Sequence, residues 1–533
     1  MKFILNTKFY SYIVFLSFFF IGITFFRDFG IYGDEPIHRW IGSIYYLHIK
    51  ELLINFNLNN EYIEKIKDLS KDEQFRLWIL YPIFFDLLTE FISDVLNINS
   101  TKNIFELRHL INFLIFFLSL IFFYKLIFER FKSYYFATLG VVLIFFFPRI
   151  FAESFYNSKD ILFLSLTIIN IYFSIKFINS QNNKNLFLYS LTAGLLINSR
   201  IMGILFPVLT FSIILFDVMD NNKILLNKTI KIITSSIIIS LTVILFWPFL
   251  WIDPVKNFGL YIEFVKNLPT VENLYFGQQL LSYQTPWHFI PVWMFITIPI
   301  TTLIFSFVGF VLLISKFILR LSSIDKTNKI WFEKNELQDF FIFFLLCLPL
   351  VVALSFKNNF DGWRHYYYLY PLLVYHLLYF LHSIRNLKFK FFTLINIFII
   401  INILFTAKWM FNYHPHQYVY FNSISKNFIK KSFDLDYFGL SIKQSLDYIL
   451  KNDDKDKIKI AAVGEAWIEG PMLILDESSQ KRILLSDLND ADYLIDTFRA
   501  KAGKKKTIDS KNFSKYHDLV VDEKIINTIY KKN

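Results

Sequence analysis

Long apolar stretches separated by short polar segments fill the chain from its start to about residue 410. A helix crosses a bilayer with about 20 apolar residues. The pattern predicts crossings near residues 9–26, 107–127, 134–151, 161–177, 186–197, 201–216, 230–251, 290–319, 339–356, 367–381 and 391–409. The fifth and sixth are short and meet at Asn198-Ser199-Arg200. We therefore expect an all-α polytopic membrane protein of about eleven transmembrane helices within residues 1–411.

Two regions fall outside these crossings. Residues 27–106 form a long outer loop, in which 37–56 and 74–96 mix apolar and charged positions at helical spacing and predict helices lying along the interface. Residues 412–533 have the composition of a soluble domain. Within them, 458–463 and 491–496 predict strands and 441–451 predicts a helix, so we expect a small C-terminal α/β domain. It has no phosphate-binding glycine loop, so the sequence assigns it no chemistry.

Composition and charge support the membrane class. The chain is 55% hydrophobic and 19% charged, which leaves too little polar surface for a soluble protein of 533 residues. Lysines and arginines gather in the loops after the even-numbered helices, so these loops and the amino terminus are predicted to be cytoplasmic. The net charge of +11 is thus largely an orientation signal and does not indicate nucleic-acid binding. The single cysteine, Cys347, can form no intramolecular disulfide.

This topology places six polar motifs, and the C-terminal domain, on the outer face of the membrane. The motifs are Gly33-Asp34-Glu35-Pro36, Glu153 to Asp160, Asn198-Ser199-Arg200, Thr285-Pro286-Trp287-His288, Asp361-Gly362-Trp363-Arg364-His365 and His414-Pro415-His416. Scattered loop polarity would distribute between both faces. Carboxylates, cations and histidines gathered at one water–lipid boundary therefore indicate an assembled site.

Asp34 and Glu35 directly follow the first predicted helix. Adjacent carboxylates at this position can accept a proton, hold a cation or simply be hydrated. A carboxylate near the low-dielectric boundary has a raised proton affinity, which suits a general base.

The cationic motifs each allow a structural and a functional interpretation. Lys159 and Asp160 form either a polar turn in which Asp160 caps the next helix, or a pair in which Lys159 meets a phosphate and Asp160 orients it or a metal. Arg200 needs an anionic partner at the boundary, either a phosphate headgroup or a structural carboxylate. Arg364 can hold a phosphate in a bidentate way, and His365 can donate a hydrogen bond or bind a metal.

The remaining histidines are weaker candidates. His288 is a possible supporting residue of the site, and His414 and His416 have the spacing of two metal ligands. No Cys or Glu accompanies them at ligand spacing, so solvated histidines are the simpler interpretation. The sequence implies no definite cofactor and leaves a divalent metal open.

A base carboxylate beside several cations at a membrane surface suits transfer of a sugar from a polyprenyl-phosphate donor. One carboxylate takes the proton of the attacking acceptor hydroxyl. Lysine and arginine stabilise the charge that grows on the departing lipid phosphate. A donor that resides in the bilayer also explains many helices without a nucleotide-binding domain.

The motifs resemble those of the integral-membrane glycosyltransferases of the family-C fold, in particular the bacterial members of the protein O-mannosyltransferase and lipid A aminoarabinose transferase group. The resemblance covers roughly residues 8–425. It rests on Asp34-Glu35-Pro36, Ser154-Phe-x-Asn-x-Lys-Asp160, Pro286-Trp287, Asp361-Gly-x-Arg-His365 and the run His414-Pro-x-Gln-Tyr-Val-Tyr-Phe-Asn422. Two positions depart from the family pattern, since Ser158 stands where proline is expected and Glu153 where a small residue or histidine is expected.

The resemblance implies an inverting hexosyl- or pentosyl-type glycosyltransferase of the bacterial inner membrane, with its active site and C-terminus facing the periplasm. Asp34 matches the catalytic carboxylate, and Glu35 would assist it. Lys159 and Arg364 match basic residues expected near the lipid phosphate, and Asp160 matches an acidic position in the second outer loop. From their own positions at the boundary, Arg200 and His365 are further candidates for binding the donor phosphate, and Asp160 and His288 for supporting it. The acceptor is a lipid, a glycan or a protein.

Two other function classes stay open. A transporter or flippase of lipid-linked sugars also needs interfacial cations, but transporters more often carry ionisable groups near the bilayer midplane and show repeat-related broken helices. An inactive scaffold whose outer domain binds a partner is the third, because fold does not fix function.

Overall fold

The computed structural model describes residues 2–55, 79–216, 222–251, 253–267, 270–322, 334–355, 358–385, 389–426, 429, 432–464, 467–499 and 508–533. The helices of the first three quarters of the chain are α1 (Lys2–Phe25), α2 (Glu35–Asn55), α3 (Phe84–Val95), α4 (Thr101–Phe131), α5 (Tyr134–Phe145), α6 (Pro148–Tyr156), α7 (Asp160–Asn179), α8 (Asn183–Ser199), α9 (Leu205–Phe216), α10 (Asn222–Leu245), α11 (Pro254–Lys266), α12 (Phe289–Thr297), α13 (Ile300–Leu321), α14 (Lys334–Ser355), α15 (Tyr370–Arg385) and α16 (Phe389–Asn412). A short hairpin, β1 (Glu272–Tyr275) and β2 (Gln278–Leu281), precedes α12.

The helices confirm the expected polytopic membrane class. Among the described residues, seven helices are long and apolar enough to cross a membrane, and eight if the bent pair α5–α6 is one span. The other three of the eleven predicted crossings correspond to the shorter helices α8, α9 and α15. The predicted interfacial segments correspond to α2 and α3, although residue 56 of the first and residues 74–78 of the second lie outside the described residues.

Two predicted crossings are interrupted by proline. The crossing at 134–151 bends by 69° between α5 and α6, where Pro148 is the first residue of α6. The crossing at 290–319 divides into α12 and α13 at Pro299. Proline lacks the N–H that would continue the preceding helix but fits the start of a new one. The break before α6 directs that helix toward the polar end of the bundle, where it carries Glu153.

Buried charge lies in two layers at opposite ends of the bundle. Helix α4 links them, with Arg108 near one end and Arg130 near the other. At 1.5 Å per residue the two arginines are roughly 33 Å apart, close to the thickness of the hydrocarbon core. Arg130 pairs with buried Asp339 (Nη2–Oδ2 2.6 Å), whereas Arg108 belongs to the layer that contains the candidate site.

The C-terminal part forms the expected mixed region. It contains α17 (Ser441–Asn452), α18 (Glu469–Met472), α19 (Glu477–Arg482) and a five-stranded sheet of β3 (Ile458–Val463), β4 (Ile483–Leu485), β5 (Tyr493–Asp496), β6 (Phe513–Val521) and β7 (Lys524–Lys532) in the order β4-β3-β5-β7-β6. The strands β4, β3 and β5 are parallel, and β7 and β6 are added antiparallel. Apolar residues of α17 pack on the sheet with Ile442, Leu446 and Ile449 buried.

Candidate active site

Asp34 directly precedes the first residue of α2, and its carboxylate makes no hydrogen bond to a described residue. Its carbonyl oxygen accepts the first helical hydrogen bond from the His38 N–H (3.1 Å). An aspartate in this position normally caps the first turn with its side chain, but no hydrogen bond from a described residue reaches this carboxylate. Pro36 has also removed one N–H that it would cap. The Asp34 carboxylate is therefore available to a ligand.

The same carboxylate lies in a mixed electrostatic environment. Burial raises the pKa of Asp34 above its ordinary value, and the negative charge of Asp361 acts in the same direction. Three cations oppose that shift: Arg364, Lys159 and Arg499. A carboxylate whose proton affinity is raised by burial, with cations nearby that favour its ionised form, has the properties of a general base.

Glu35, in contrast, points into the protein. It is 1% exposed and contacts Arg108 (Oε1–Nε 3.6 Å) and His109 (Oε2–Nε2 3.4 Å). Arg108 in turn donates to Asp86 (2.7 Å) and Thr89 (2.8 Å). Successive residues at a helix start project about 100° apart, so Asp34 and Glu35 cannot share one role. This buried network fixes the first turn of α2 and hence the backbone that carries Asp34.

Lys159 presents a buried ammonium group with no hydrogen-bond partner among the described residues. Its Nζ lies 3.8 Å from the centre of the Tyr81 ring. Burial lowers the pKa of Lys159 to about 7, and the nearby Arg200 adds to this, while Asp86 and Asp34 oppose it. A buried donor without an acceptor is costly to the protein, and an ammonium in this setting can serve an anionic ligand.

Asp160 forms ion pairs with two of the predicted phosphate-binding cations, Arg200 and Arg364. Its carboxylate pairs with Arg200 on one oxygen and with Arg364 (Nη1–Oδ2 2.9 Å) on the other. Asn157 also donates to it (2.9 Å). The Nε atoms of both arginines are buried without a hydrogen-bond partner in the described part of the chain. Each guanidinium is thus anchored through one edge and retains a donor for another acceptor.

The local backbone explains how Arg200 and Arg364 reach this position. Arg200 directly follows α8 in an extended conformation (φ −155°, ψ 140°), so the helix stops there and the chain turns into the connection to α9. Arg364 follows a left-handed turn in which Asp361 and Gly362 both have positive φ. Asparagine, aspartate and glycine tolerate this region best. The Gly362 backbone packs against the face of Trp293, and Arg364 donates back to Asp361 (Nη2–Oδ2 3.0 Å).

His365 lies near Arg364 and Arg200, and its imidazole is neutral at pH 7. Its ring meets the Phe360 ring edge-on, with centroids 4.8 Å apart. Burial and then the positive charges of Arg364 and Arg200 hold the pKa of His365 well below its usual value. A neutral imidazole can offer a phosphate a hydrogen bond but no positive charge.

The other histidines of the predicted motifs have partners outside this cluster. The Nδ1 of His288 contacts the hydroxyl of Tyr275 (2.7 Å) in the β1 hairpin. His414 pairs with Asp28 (2.7 Å), and His416 contacts Tyr418 (3.1 Å). Each has a protein partner, and the described residues contain no group of three histidine, cysteine or acidic side chains placed to hold a metal.

A cavity of about 440 Å³ opens beside Asp34. Its walls come from the α1–α2 connection, the turn at Asp361, the segment before α17 and the loops that follow β3 and β5. The lining residues are Ile31, Gly33, Asp34, Asp361, Asp436, Tyr437, Phe438, Gly439, Gly464, Trp467, Pro471, Thr497 and Arg499. Ligand pockets commonly have such a volume and a mixture of aromatic walls and a few polar groups.

The sequence did not identify two residues of the site, Tyr81 and Arg499. Tyr81, beneath the Lys159 ammonium, carries no polar signature in the sequence. Arg499 lies three positions beyond the end of β5. Loops after the carboxyl ends of parallel strands are frequent binding positions in α/β folds, which is the signal that identifies it. The predicted strand at 491–496 could have pointed to Arg499, but many lysines in the same region made a single arginine there look like ordinary solvated surface.

No family model and no curated protein match the chain. Among solved structures, the crystal structure of ArnT from Cupriavidus metallidurans bound to undecaprenyl phosphate is similar to it. The match covers 99% of this chain and 98% of that chain at 9% sequence identity, with a TM-score of 0.49. This likeness concerns the course of the chain.

Proposed function

We propose that the protein is a glycosyltransferase that moves a sugar from a polyprenyl-phosphate donor to an acceptor hydroxyl at the outer membrane–water interface. One observation carries the proposal: an uncommitted carboxylate, Asp34, faces a cavity beside a buried ammonium, Lys159, that has no hydrogen-bond partner among the described residues. A base and an anion site next to each other are what transfer from a lipid phosphate requires.

In the proposed reaction the acceptor oxygen attacks the anomeric carbon from the side opposite the phosphate, which inverts that centre. The bond from the anomeric carbon to the phosphate oxygen breaks, and its electron pair leaves with the lipid phosphate. Asp34 receives the proton of the acceptor hydroxyl. The phosphate departs with one additional negative charge, so the reaction needs no general acid.

Lys159, Arg200 and Arg364 stabilise that leaving group. Each carries a buried donor atom without a hydrogen-bond partner in the described structure. Asp160 holds the two guanidinium groups in fixed positions, so they need not reorganise as charge develops. His365 adds a neutral hydrogen-bond donor. Glu35 acts indirectly, since its pairing with Arg108 fixes the turn that presents Asp34.

The donor is hydrophobic except at its phosphate and sugar, so it approaches from the bilayer. The polar layer with Arg108 and Asp34 is roughly one hydrocarbon thickness from Arg130. Lysine and arginine in the loops at the Arg130 end support an orientation with the site on the periplasmic side. The C-terminal residues of the cavity wall would then contact an acceptor arriving from outside.

The test separates transfer from transport. The purified protein is reconstituted in proteoliposomes with radiolabelled polyprenyl-phosphate sugars and a panel of lipid, glycan and protein acceptors. The proposal expects label to pass to one acceptor class. Intact donor that changes leaflet without transfer would instead establish a flippase. Addition of a chelator in a parallel sample determines whether a divalent metal takes part.

A further inference from the structure

The catalytic cavity has one wall made by the C-terminal region, and Arg499 is its cationic member. Residues after β3 (Gly464, Trp467) and after β5 (Thr497, Arg499) line the cavity together with Asp34. These loops follow the carboxyl ends of two adjacent parallel strands, and they share the cavity with Asp34 and Asp361 of the membrane part. The two loops pack closely on each other: Gly464 has positive φ, and a Cβ there would lie 2.3 Å from the Arg499 carbonyl oxygen, so glycine is required at this position.

Arg499 is joined to the site through a carboxylate. Its Nη2 donates to Asp361 Oδ1 (3.1 Å), and its Nη1 donates to the Tyr437 carbonyl oxygen. Asp361 Oδ2 is already paired with Arg364, which pairs with Asp160. The result is a continuous chain of alternating charges: Arg200, Asp160, Arg364, Asp361 and Arg499.

Without Arg499, one end of this chain would expose a half-neutralised carboxylate to the cavity. Asp361 lines that cavity beside Asp34, and like charges disfavour each other's ionised form. The other groups that act on Asp34 come from the membrane part of the protein: Lys159, Arg364, Tyr32 and Tyr81. Arg499 is the contribution of the C-terminal region to that balance.

We propose that Arg499 is a positioning residue of the active site, which neutralises Asp361 and thereby keeps Asp34 in its basic form. This inference rests on the proposed role of Asp34 as the base. It makes the C-terminal region a part of the catalytic centre, although the sequence assigns it no chemistry. The direction of the electrostatic effect agrees, since the positive charge of Arg499 lowers the pKa of Asp34 against the rise caused by burial.

A purely structural role for Arg499 is the competing explanation. Its bond to the Tyr437 carbonyl oxygen could simply hold the C-terminal region against the membrane helices. Such a clamp predicts lower stability after substitution but no change in the protonation of Asp34. The two explanations therefore differ in the protonation of Asp34, which can be measured without any sugar transfer.

The experiment measures the protonation of Asp34 directly in the full-length, detergent-solubilised protein. A hydrophobic carbodiimide labels protonated carboxyl groups, and peptide mass spectrometry quantifies the label on Asp34 across pH. Wild type is compared with Arg499→Met, Arg499→Lys and Arg482→Met. Arg482 is a matched control because it lies in the same region and donates only to backbone carbonyl oxygens of Leu450, Asp453 and Lys455. Asp34→Asn identifies the labelled site.

The expected result is an upward shift of the labelling midpoint in Arg499→Met, because a positive charge that lowers the pKa of Asp34 is lost. Arg499→Lys stays close to wild type and Arg482→Met does not shift. An unchanged midpoint in folded Arg499→Met overturns the inference. The proposed function is judged separately by sugar transfer in wild type: transfer with no midpoint shift refutes only the role of Arg499, and a shift without transfer refutes only the enzyme.

Discussion

Asp160 and Arg364 lie 204 residues apart in the chain, yet Arg364 Nη1 donates to Asp160 Oδ2 at 2.9 Å in the protein interior. Arg200 occupies the other Asp160 oxygen. One carboxylate thus holds two of the predicted phosphate-binding cations, which come from the end of α8 and from the turn before α15. The site is assembled from helix ends and connections, and it is fixed before any donor arrives.

Replacement of Asp160 by asparagine removes this common partner. Arg200 then loses its carboxylate partner, and Arg364 is left with Asp361 alone. Breaking a buried pair costs about 3–5 kcal/mol, and the cost is reduced here because Arg200 is partly exposed. We expect a clear fall in Tm together with a weaker apparent affinity for donor. The control is Asp339→Asn, which breaks the buried pair with Arg130 at the opposite end of the bundle. It is expected to lower Tm without a change in donor KM, and a matching change in KM would contradict a local role for Asp160.

Replacement of Lys159 by methionine separates function from stability. The ammonium is buried without a hydrogen-bond partner among the described residues, so an apolar side chain of similar length removes its desolvation cost, which offsets the loss of its contact with the Tyr81 ring. Tm should stay the same or rise. Donor binding should weaken by about 10–100-fold, as for the loss of a hydrogen bond to a charged group of about 1.5–3 kcal/mol. Binding is measured with polyprenyl phosphate alone, and unchanged affinity would remove Lys159 from the phosphate site.

Glu35→Gln tests whether Glu35 acts on the substrate or on the fold. Glutamine keeps the shape but loses the charge that faces Arg108, while Arg108 retains its bond to Asp86. We expect a loss of about 1–3 kcal/mol in stability and a modest fall in kcat. Glu106→Gln, which affects a salt bridge to the exposed Arg27, is the control. A loss of kcat as large as that of Asp34→Asn, with Tm preserved, would show that Glu35 takes part in the chemistry.

The rate should depend on pH through Asp34 and Lys159. Burial raises the pKa of Asp34, and the base works only when ionised, so kcat/KM rises with pH through that value. Burial lowers the pKa of Lys159 to about 7 in the free protein, and only the protonated form attracts phosphate. Donor capture therefore declines as pH rises above about 7. In Lys159→Met the decline of donor capture above pH 7 should disappear, while the rise of kcat/KM with pH on the acid side should remain. If the decline persists in this variant, a group other than Lys159 causes it.

The sequence was sufficient for the helical membrane class and for several elements of the C-terminal region. Strand β3 has the predicted bounds, and α17 exceeds its prediction by one residue. These successes come from local patterns, since apolar length and alternation are properties of neighbouring residues. Helix interruptions at Pro148 and Pro299 were missed because long apolar runs on both sides of each proline concealed the break.

Contacts between residues that are distant in the chain could not be predicted from the sequence. The common topology of the motifs placed Asp160, Arg200, Arg364 and His288 on one face; the structure brings the first three into contact, whereas His288 contacts Tyr275. The opposite directions of Asp34 and Glu35 depend on where α2 begins. The contact of Arg499 with Asp361 spans 138 positions and depends on how the sheet docks on the helices. None of these follows from local periodicity.

The central claim is that Asp34 is the base of a sugar transfer, and one comparison tests it most directly. Transfer from the radiolabelled polyprenyl-phosphate sugar is measured for wild type, Asp34→Asn and Asp94→Asn, a control at an exposed carboxylate that pairs with Lys50. We predict that Asp34→Asn binds donor but loses about 10²–10⁴-fold in kcat, the usual contribution of a general base, while Asp94→Asn matches wild type. Equal transfer by wild type and Asp34→Asn would contradict the account.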